Sequence, residues 1–475
     1  MEAVRLGFVM AKLNGLQVCA GDIGNAFLYS QTNEKLYVVA GPEFGPELEG
    51  KRLIIDKSLY GLRTSSARFH ELTTIHFAKM GFKPTKADPD LLMRLHPDGH
   101  YEYIARFVDD VIAFAKDPLS IMTELKKTFV MKGVGVPRYY LGGDVLELGD
   151  EWIKQGLTHS FSADTYIQNC LPKVKSMMEI ESFPKAKIPM SPSYYPENDE
   201  SPLVDAAEIT KFKSMIGSLN WILTLGRFDI AYALNTMSRY SMAPREGHMK
   251  AMLNIFGYLQ SHSKGQIIID TNEPPVRSQA LKITGYNWSE FYPDACEDIP
   301  HDMPQSRGDL ATLTAFVDAD HARDKVTRRS VTGVILLMNN TPIVWKSKRQ
   351  KTVETSTYGS ELVAARVAVE LIIEWRYKLR MLGLVLEESS WLVGDNMSVV
   401  INTTLPSSSL KKKHMACNYH RVREAIAGKI IHFGHIESHQ NLADICTKPL
   451  DLNTFRPLVQ SYLFRKSELL TDATS

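Results

Sequence analysis

The stretch RFVDDVIAF, residues 106–114, sets two adjacent carboxylates, Asp109 and Asp110, inside an apolar run. Successive side chains of a strand point to opposite faces, so one pleat cannot send both acids to solvent. A buried carboxylate is costly unless it is paired or neutralised. The wider segment YEYIARFVDDVIAFAKDP predicts a β-hairpin with a tight acidic turn, and Ile104, Phe107, Val108, Val111, Ile112 and Phe114 make it a core hairpin. A divalent cation between the acids would resolve the conflict. Two like charges this close push one pKa up, whereas Mg²⁺ prefers oxygen ligands and takes carboxylates together with substrate phosphate. Such a site needs a third carboxylate from elsewhere. Asp22 in VCAGDIGNAF is the candidate, after a short strand and just before an apolar helix start at Ala26-Phe27. The plainer alternative is an acidic turn and a helix cap.

Bulk properties narrow the function classes. A chain of 475 residues predicts about two to four domains. With 44% hydrophobic and 23% charged residues, its composition is that of a soluble globular protein. Lys+Arg 55 against Asp+Glu 54 gives no global positive field, so nucleic-acid binding would have to come from a local groove. Five cysteines, odd in number and without a CxxC, suggest a reducing compartment and no thiol metal site. No apolar stretch is long enough for a membrane span and no signal-peptide pattern opens the chain, so an intracellular protein with no membrane partner is expected.

Along the chain, MEAVRLGFVMAKLNG carries Val4, Leu6, Val9, Met10 and Leu13 at helical spacing. Residues 52–70 and 100–148 are expected to mix short strands and turns, interrupted by a helix over DPLSIMTELKKTF. From about 160 to 265 the pattern is mostly helical, with Ser162 as a cap. The Pro- and Asp-rich FYPDACEDIPHDMPQSRGD, 291–309, is expected to be a linker at a domain boundary. Mixed α/β follows: LTAFVDADHA is a strand ending in acids, and GVILLMNNTPIVW is two strands around Asn339-Asn340. SELVAARVAVELIIEWRYKLRMLG is a helix closing at Gly383, and WLVGDN is a strand with an acid at its tip.

Four acids of this second half stand at element ends: Asp318, Glu361, Asp395 and Asp444. They are 43, 34 and 49 residues apart, which excludes a local loop and requires convergence on one edge of a sheet. Four carboxylates in a shaped pocket would hold two Mg²⁺ and activate water against a phosphodiester. Taken singly, each is more plainly a cap or a turn. The basic run KKKHMACNYHRVRE, which contains Lys411, Lys412 and Lys413, is either a solvated face or a grip on a nucleic-acid backbone.

RFVDDVIAF resembles the (Y/F)VDD box of reverse transcriptases, and the wider order resembles the polymerase of copia-type retrotransposons. GDIGNAFL is similar to the first catalytic segment of that family, and KSLYGLRTSSARFH to its LYGL segment. MKGVGVPRYYLGGDV, FSADTYIQNCL and MIGSLNWILTLGRFDIAYALNTMSRYS follow in the family's order. FVDADHARDKVTRRSVTGVILL, DNMSVV and LADICTKPL resemble the RNase H domain of the same elements.

The resemblance implies an α+β polymerase palm with a helical thumb/connection region, followed by an α/β RNase H-like domain. The divisions are 1–160 for partial fingers and palm, 161–290 for thumb/connection, 291–309 for the linker, 310–450 for RNase H and 451–475 for a C-terminal tail. It implies an RNA-directed DNA polymerase and ribonuclease H acting by two-metal phosphoryl transfer, with two Mg²⁺ (or Mn²⁺) per site. Asp22, Asp109 and Asp110 would hold metal in the first site, and Asp318, Glu361, Asp395 and Asp444 in the second. Asp320 could replace Asp318, which is preferred as the first acid after the strand. Phe27 would sit under the incoming sugar, and Arg63, Lys411, Lys412 and Lys413 would contact substrate. The partners would be RNA template, DNA primer, RNA–DNA hybrid and deoxynucleoside triphosphates. The location would be cytoplasmic, including virus-like particles, or nuclear.

Departures point to weaker polymerase function. Thr64-Ser65-Ser66 follows Arg63 where the family has Gln, Phe69 replaces a Trp, and the upstream fingers motifs are missing, so an N-terminally truncated polymerase is expected. In the second half His321 and Gly359 depart from the family pattern. The alternative is a catalytically inactive remnant or domesticated nucleic-acid-binding protein.

Overall fold

The computed structural model of the chain describes residues 1–410 and 412–465. The acidic hairpin is built from strands Tyr101–Phe107 and Asp110–Ala115, joined by Val108 and Asp109. Both of its faces are covered. Val111, Ala113 and Ala115 join a core with Ile121, Met122 and Leu125 of helix Pro118–Leu125 and with Phe69 and Phe77 of helix Ser65–Lys79. Ile112 and Phe114 join the opposite core beside helix Glu2–Leu13. That helix lies close because residue 7 is glycine: a Cβ there would stand 2.3 Å from the Phe114 ring. The antiparallel sheet runs 83–84, 91–95, 101–107, 110–115, 17–23, 131–135.

Two local expectations are corrected here. Residues 52–70 were expected as strands and turns, but a helix starts at Ser65, because Phe69, Thr73 and Phe77 bury a stripe at four-residue spacing. Ala26–Tyr29 forms a single 3₁₀ turn and not the start of a longer apolar helix.

A second sheet, ordered 266–270, 157–162, 143–147, 139–140, packs on helix Asp164–Met178, which joins a bundle with helices Ala206–Thr224, Ala231–Ser238 and Glu246–Ser261. Among these helices a polar network is fully buried: Arg227 Nη2 meets Asp229 Oδ2 at 2.6 Å, and the Tyr258 hydroxyl donates to the same oxygen at 2.7 Å. Each buried charge therefore has a partner, which its desolvation demands.

The third sheet is mixed, in the order 281–282, 431–435, 390–394, 313–319, 331–338, 341–349. Strand Leu313–Ala319 pairs antiparallel with Val331–Met338 and parallel with Ser390–Gly394. Helix Thr357–Met381 crosses the sheet and buries Leu362, Ala365, Val369, Ile372 and Leu379. Gly383, with a φ of +71°, follows its end.

The boundary at 291–309 needs correction. Residues 283–306 hold no helix or strand, yet the chain has already entered the third sheet before them: Leu281–Lys282 pairs with Ile431–His435, and Arg277 donates to the Leu313 carbonyl and to Glu387. Nor is the stretch a loose tether, since Glu297 accepts from Arg376 at 2.7 Å and also pairs with Arg380. The expected tail from 451 contains helix Leu452–Leu463, which docks through Phe455, Leu458, Val459 and Leu463. Its amphipathic spacing was the overlooked signal.

The two halves share one core. Arg5 is buried, donates to the carbonyls of Thr224 and Ile343, and lies 4.3 Å over the Trp345 ring. The Tyr103 hydroxyl donates to the Leu382 carbonyl at 2.7 Å.

Candidate active sites

In the first half, strands Gln17–Ile23 and Asp110–Ala115 place Asp22 directly opposite Asp110. Both acids therefore share the face that carries Ala20 and Ile112. Val108 turns the hairpin with a φ of +56°, a costly conformation for a β-branched residue. The turn presents the Asp109 carbonyl to the Ile23 N–H at 2.8 Å, which ties the hairpin end to the neighbouring strand. Burial pushes Asp110 up to about 6, assisted by the charges of Asp109 and Asp22. Asp22 is raised by burial and by Asp109, against the opposing pull of Lys132. Lys132 stands across from Asp22 on strand Met131–Gly135.

Phe27 is buried and packs between Tyr60 and Phe69, with centroids at 4.6 and 6.1 Å. Tyr60 is the exposed ring of the group, and burial together with Asp109 and Asp22 raises its hydroxyl pKa. Arg63 is exposed. The following Thr64 is fixed by its N–H and hydroxyl on Glu34, at 3.0 and 2.5 Å.

In the second half, one carboxylate oxygen each of Asp318, Glu361 and Asp395 lies within 4.8 Å of the others. Asp318 stands near the end of its strand, Asp395 follows the parallel neighbour, and Glu361 lies early in the long helix, which Ser356 caps by accepting the Gly359 N–H. Burial, then the charges of Asp318 and Asp395, hold Glu361 well above the usual carboxylate range.

Asp444 arrives on a 3₁₀ segment, Leu442–Cys446, that lies over Gly333, the residue opposite Asp318. A Cβ on Gly333 would meet Thr447 Cγ2 at 2.5 Å and the Ala443 carbonyl at 2.7 Å, so only glycine permits this approach. Asp444 is pushed up to about 8 by burial and then by Asp318, against Lys448.

Three neighbours hold these acids. Thr447 donates its hydroxyl to Asp318, and Asn441 donates to Asp395 Oδ1 at 3.1 Å and to the Val317 carbonyl at 3.0 Å. Lys448 Nζ stands 3.0 Å from Asp444 and 3.5 Å from Asp318. None of the three is expected from the sequence alone; a lysine four residues after an acid is the available signal. Asp320 is outside the cluster: it accepts the Val331 N–H and is raised to about 7, chiefly by burial.

Among the described residues only one other triad, His96-Asp98-His100, brings ligand atoms as close; Asp22, Asp109 and Asp110 do not. Of the basic run, Lys411 lies outside the described residues, and Lys413 is exposed. Lys412 meets the hydroxyls of Thr355 and Ser356, beside the start of the helix that carries Glu361. No described helix is long and apolar enough to cross a membrane.

Residues 1–173 match the family model described as reverse transcriptase (RNA-dependent DNA polymerase). The retrovirus-related Pol polyprotein from transposon RE1 of Arabidopsis thaliana is 25% identical over 441 residues, 92% of this chain and 26% of that protein. The corresponding polyprotein from transposon TNT 1-94 of Nicotiana tabacum is 24% identical over 96% of this chain and 31% of its own length. The truncated transposon Ty1-A Gag-Pol polyprotein of Saccharomyces cerevisiae is 22% identical over 97% and 36%. The chain thus spans about a quarter to a third of the length of these relatives. Among solved structures, RNase H1 from Halobacterium salinarum covers 29% of this chain and 94% of its own at 15% identity, with a TM-score of 0.23, too low to carry weight. Across both halves, and in colinear order, the chain is thus similar to retrotransposon Pol polyproteins, with the reverse transcriptase match confined to residues 1–173.

Proposed function

We propose that the chain carries two phosphoryl-transfer sites, an RNA-directed DNA polymerase in a palm formed by the first sheet and a ribonuclease H in the third. The helices of 164–261 would serve as thumb and connection. The observation that carries the proposal is the convergence of Asp318, Glu361 and Asp395, drawn from three separate elements to the C-terminal ends of two adjacent central strands.

The donor set suits a hard dication: carboxylate oxygens, with Glu361 raised above the usual carboxylate range by burial and then by the charges of Asp318 and Asp395, which a cation would offset. Asp318, Glu361, Asp395 and Asp444 would hold Mg²⁺ there, and Asp22, Asp109 and Asp110 in the polymerase. Bound Mg²⁺ would neutralise developing phosphate charge and lower the pKa of the attacking water or hydroxyl. The chain's own groups supply positioning. Thr447 fixes the Asp318 carboxylate, Asn441 orients Asp395, and Lys448 keeps Asp444 and Asp318 together while lending positive charge to a phosphate-binding edge. Lys412 and Lys413 would grip the backbone of an RNA–DNA hybrid, a contact weakened by salt and blind to sequence. In the polymerase site Tyr60 over Phe27 would form the floor for a deoxynucleotide sugar, with Arg63 nearby for template or triphosphate. The setting is inside the cell, in cytoplasm or nucleus.

The test is cleavage of labelled RNA in an RNA–DNA hybrid with Mg²⁺. The chain is expected to cleave and Asp395→Asn to be inactive. Cleavage equal in both would sink the nuclease assignment. Primer extension on an RNA template tests the polymerase separately, with weak extension expected because Thr64 stands where the family has Gln.

A further inference from the structure

The tip of the hairpin between strands Leu91–Leu95 and Tyr101–Phe107 reads His96-Pro97-Asp98-Gly99-His100. Ligand atoms of His96, Asp98 and His100 lie within 4.8 Å of one another. The turn is closed by two backbone bonds of 2.8 Å, from the His96 N–H to the His100 carbonyl and from the Gly99 N–H to the His96 carbonyl. Gly99 permits it with a φ of +84°. The imidazoles stand side by side, centroids 4.6 Å apart.

What marks this as more than a polar turn is His100. Both of its ring nitrogens are shut from solvent, and neither has a hydrogen-bond partner among the described residues. Buried polar atoms are rarely left so without a reason. Behind the ring Glu102 Oε1 lies 3.9 Å from His100 Nε2, and Glu102 is itself held by Arg94 at 2.6 Å. At that distance Glu102 makes no hydrogen bond to the ring, but it is placed where a carboxylate commonly supports a ligating imidazole. Asp98 and the accessible edge of His96 open the third side to solvent.

We infer that the 96–100 turn is a binding site for a borderline transition-metal dication, Zn²⁺ above all, with His96, Asp98 and His100 as ligands and water completing the shell. Two nitrogens and one carboxylate select such an ion over Mg²⁺, which the all-oxygen clusters would take. The ion would clip the hairpin at the end of strand Tyr101–Phe107 opposite to Asp109. The inference does not depend on either catalytic assignment.

The test uses the tag-free full chain, stripped by chelation and kept in excess Mg²⁺ to fill the carboxylate sites. Titration with Co²⁺ should give a visible d–d band distinct from the aquo ion, reaching one equivalent per chain and displaced by Zn²⁺. His96→Ala and His100→Gln should lose the band, whereas Asp395→Asn should keep it. Zn²⁺ should also raise the Tm of the parent chain and leave that of His96→Ala unchanged. His96 is partly exposed, so that variant reads the site even if His100→Gln fails to fold. No band beyond that of the aquo ion, or a band that survives His96→Ala, overturns the inference.

Discussion

Asp22 and Asp110 face each other across two strands, half-buried, with Lys132 opposite Asp22 on the next strand. Asp318 and Asp444, by contrast, are buried and held by Thr447 and Lys448, and Asn441 holds Asp395. The first cluster owes its geometry to strand register and to the backbone bond between Ile23 and Asp109. In the second, hydrogen bonds lock individual carboxylates in addition to the scaffold. Preorganised groups lose little on binding, so the second cluster should accept cations with less rearrangement, and the first should depend more on substrate phosphate to draw its acids together.

The largest expected effect breaks the comparison in one step. Asp318→Asn should lower hybrid cleavage by about a hundredfold or more, the scale of losing a group aimed at developing charge. Asp22→Asn should leave cleavage unchanged; a matching loss there would mean that the two clusters are not separate sites. Gly333→Val comes next. It forces the 442–448 segment off the sheet, at a cost of about 1–3 kcal/mol in unfolding free energy, as overpacking does, and cleavage should fall with it.

The pH dependence of stability follows from the raised acids. Between the ordinary Asp value of 3.8 and the folded value of about 8 for Asp444, or about 6 for Asp110, the native state binds more protons than the unfolded chain. Stability of the Mg²⁺-free protein should therefore fall as pH rises through that window. Denaturant titrations at successive pH values should show this fall, and Mg²⁺ should flatten its upper part. A rise with pH would contradict the assigned shifts.

Smaller effects sharpen the contrast. Lys448→Met removes a resident positive charge from Asp444 and Asp318, so half-maximal cleavage should need severalfold less Mg²⁺. Smallest is the aromatic floor of the first site. Tyr60→Ala should relax discrimination between ribo- and deoxynucleotides in primer extension more than Phe27→Ala does, since Tyr60 is the exposed ring.

Much of this was legible in the residues. The alternation around Asp109-Asp110 gave the hairpin, and the apolar spacing from Leu362 to Leu382 gave the long helix, because each has one period and a buried face. The register that sets Asp22 opposite Asp110 is a non-local choice that no window along the chain contains. Helix Ser65–Lys79 escaped because its buried stripe includes a threonine, Thr73, whose hydroxyl is satisfied by the Phe69 carbonyl. The four second-half acids could be named as candidates from their places at element ends, but Thr447 and Asn441 act only through tertiary neighbours and carry no pattern of their own, and Lys448 shows only as a lysine four residues after Asp444. The misplaced boundary has a similar cause. Composition marks 291–309 as polar, yet composition cannot show Glu297 clamped by two arginines, nor Arg277 already reaching the next sheet.

Helix Glu2–Leu13 sends Arg5 across to the Ile343 carbonyl and Trp345, and helix Leu452–Leu463 is followed by Arg465 bonded to Asp270. The first and last described elements are thus each clasped by the opposite half of the molecule. A protease that nicks the backbone anywhere in 283–306 should therefore yield two polypeptides that still migrate as one particle in gel filtration and part only in denaturant.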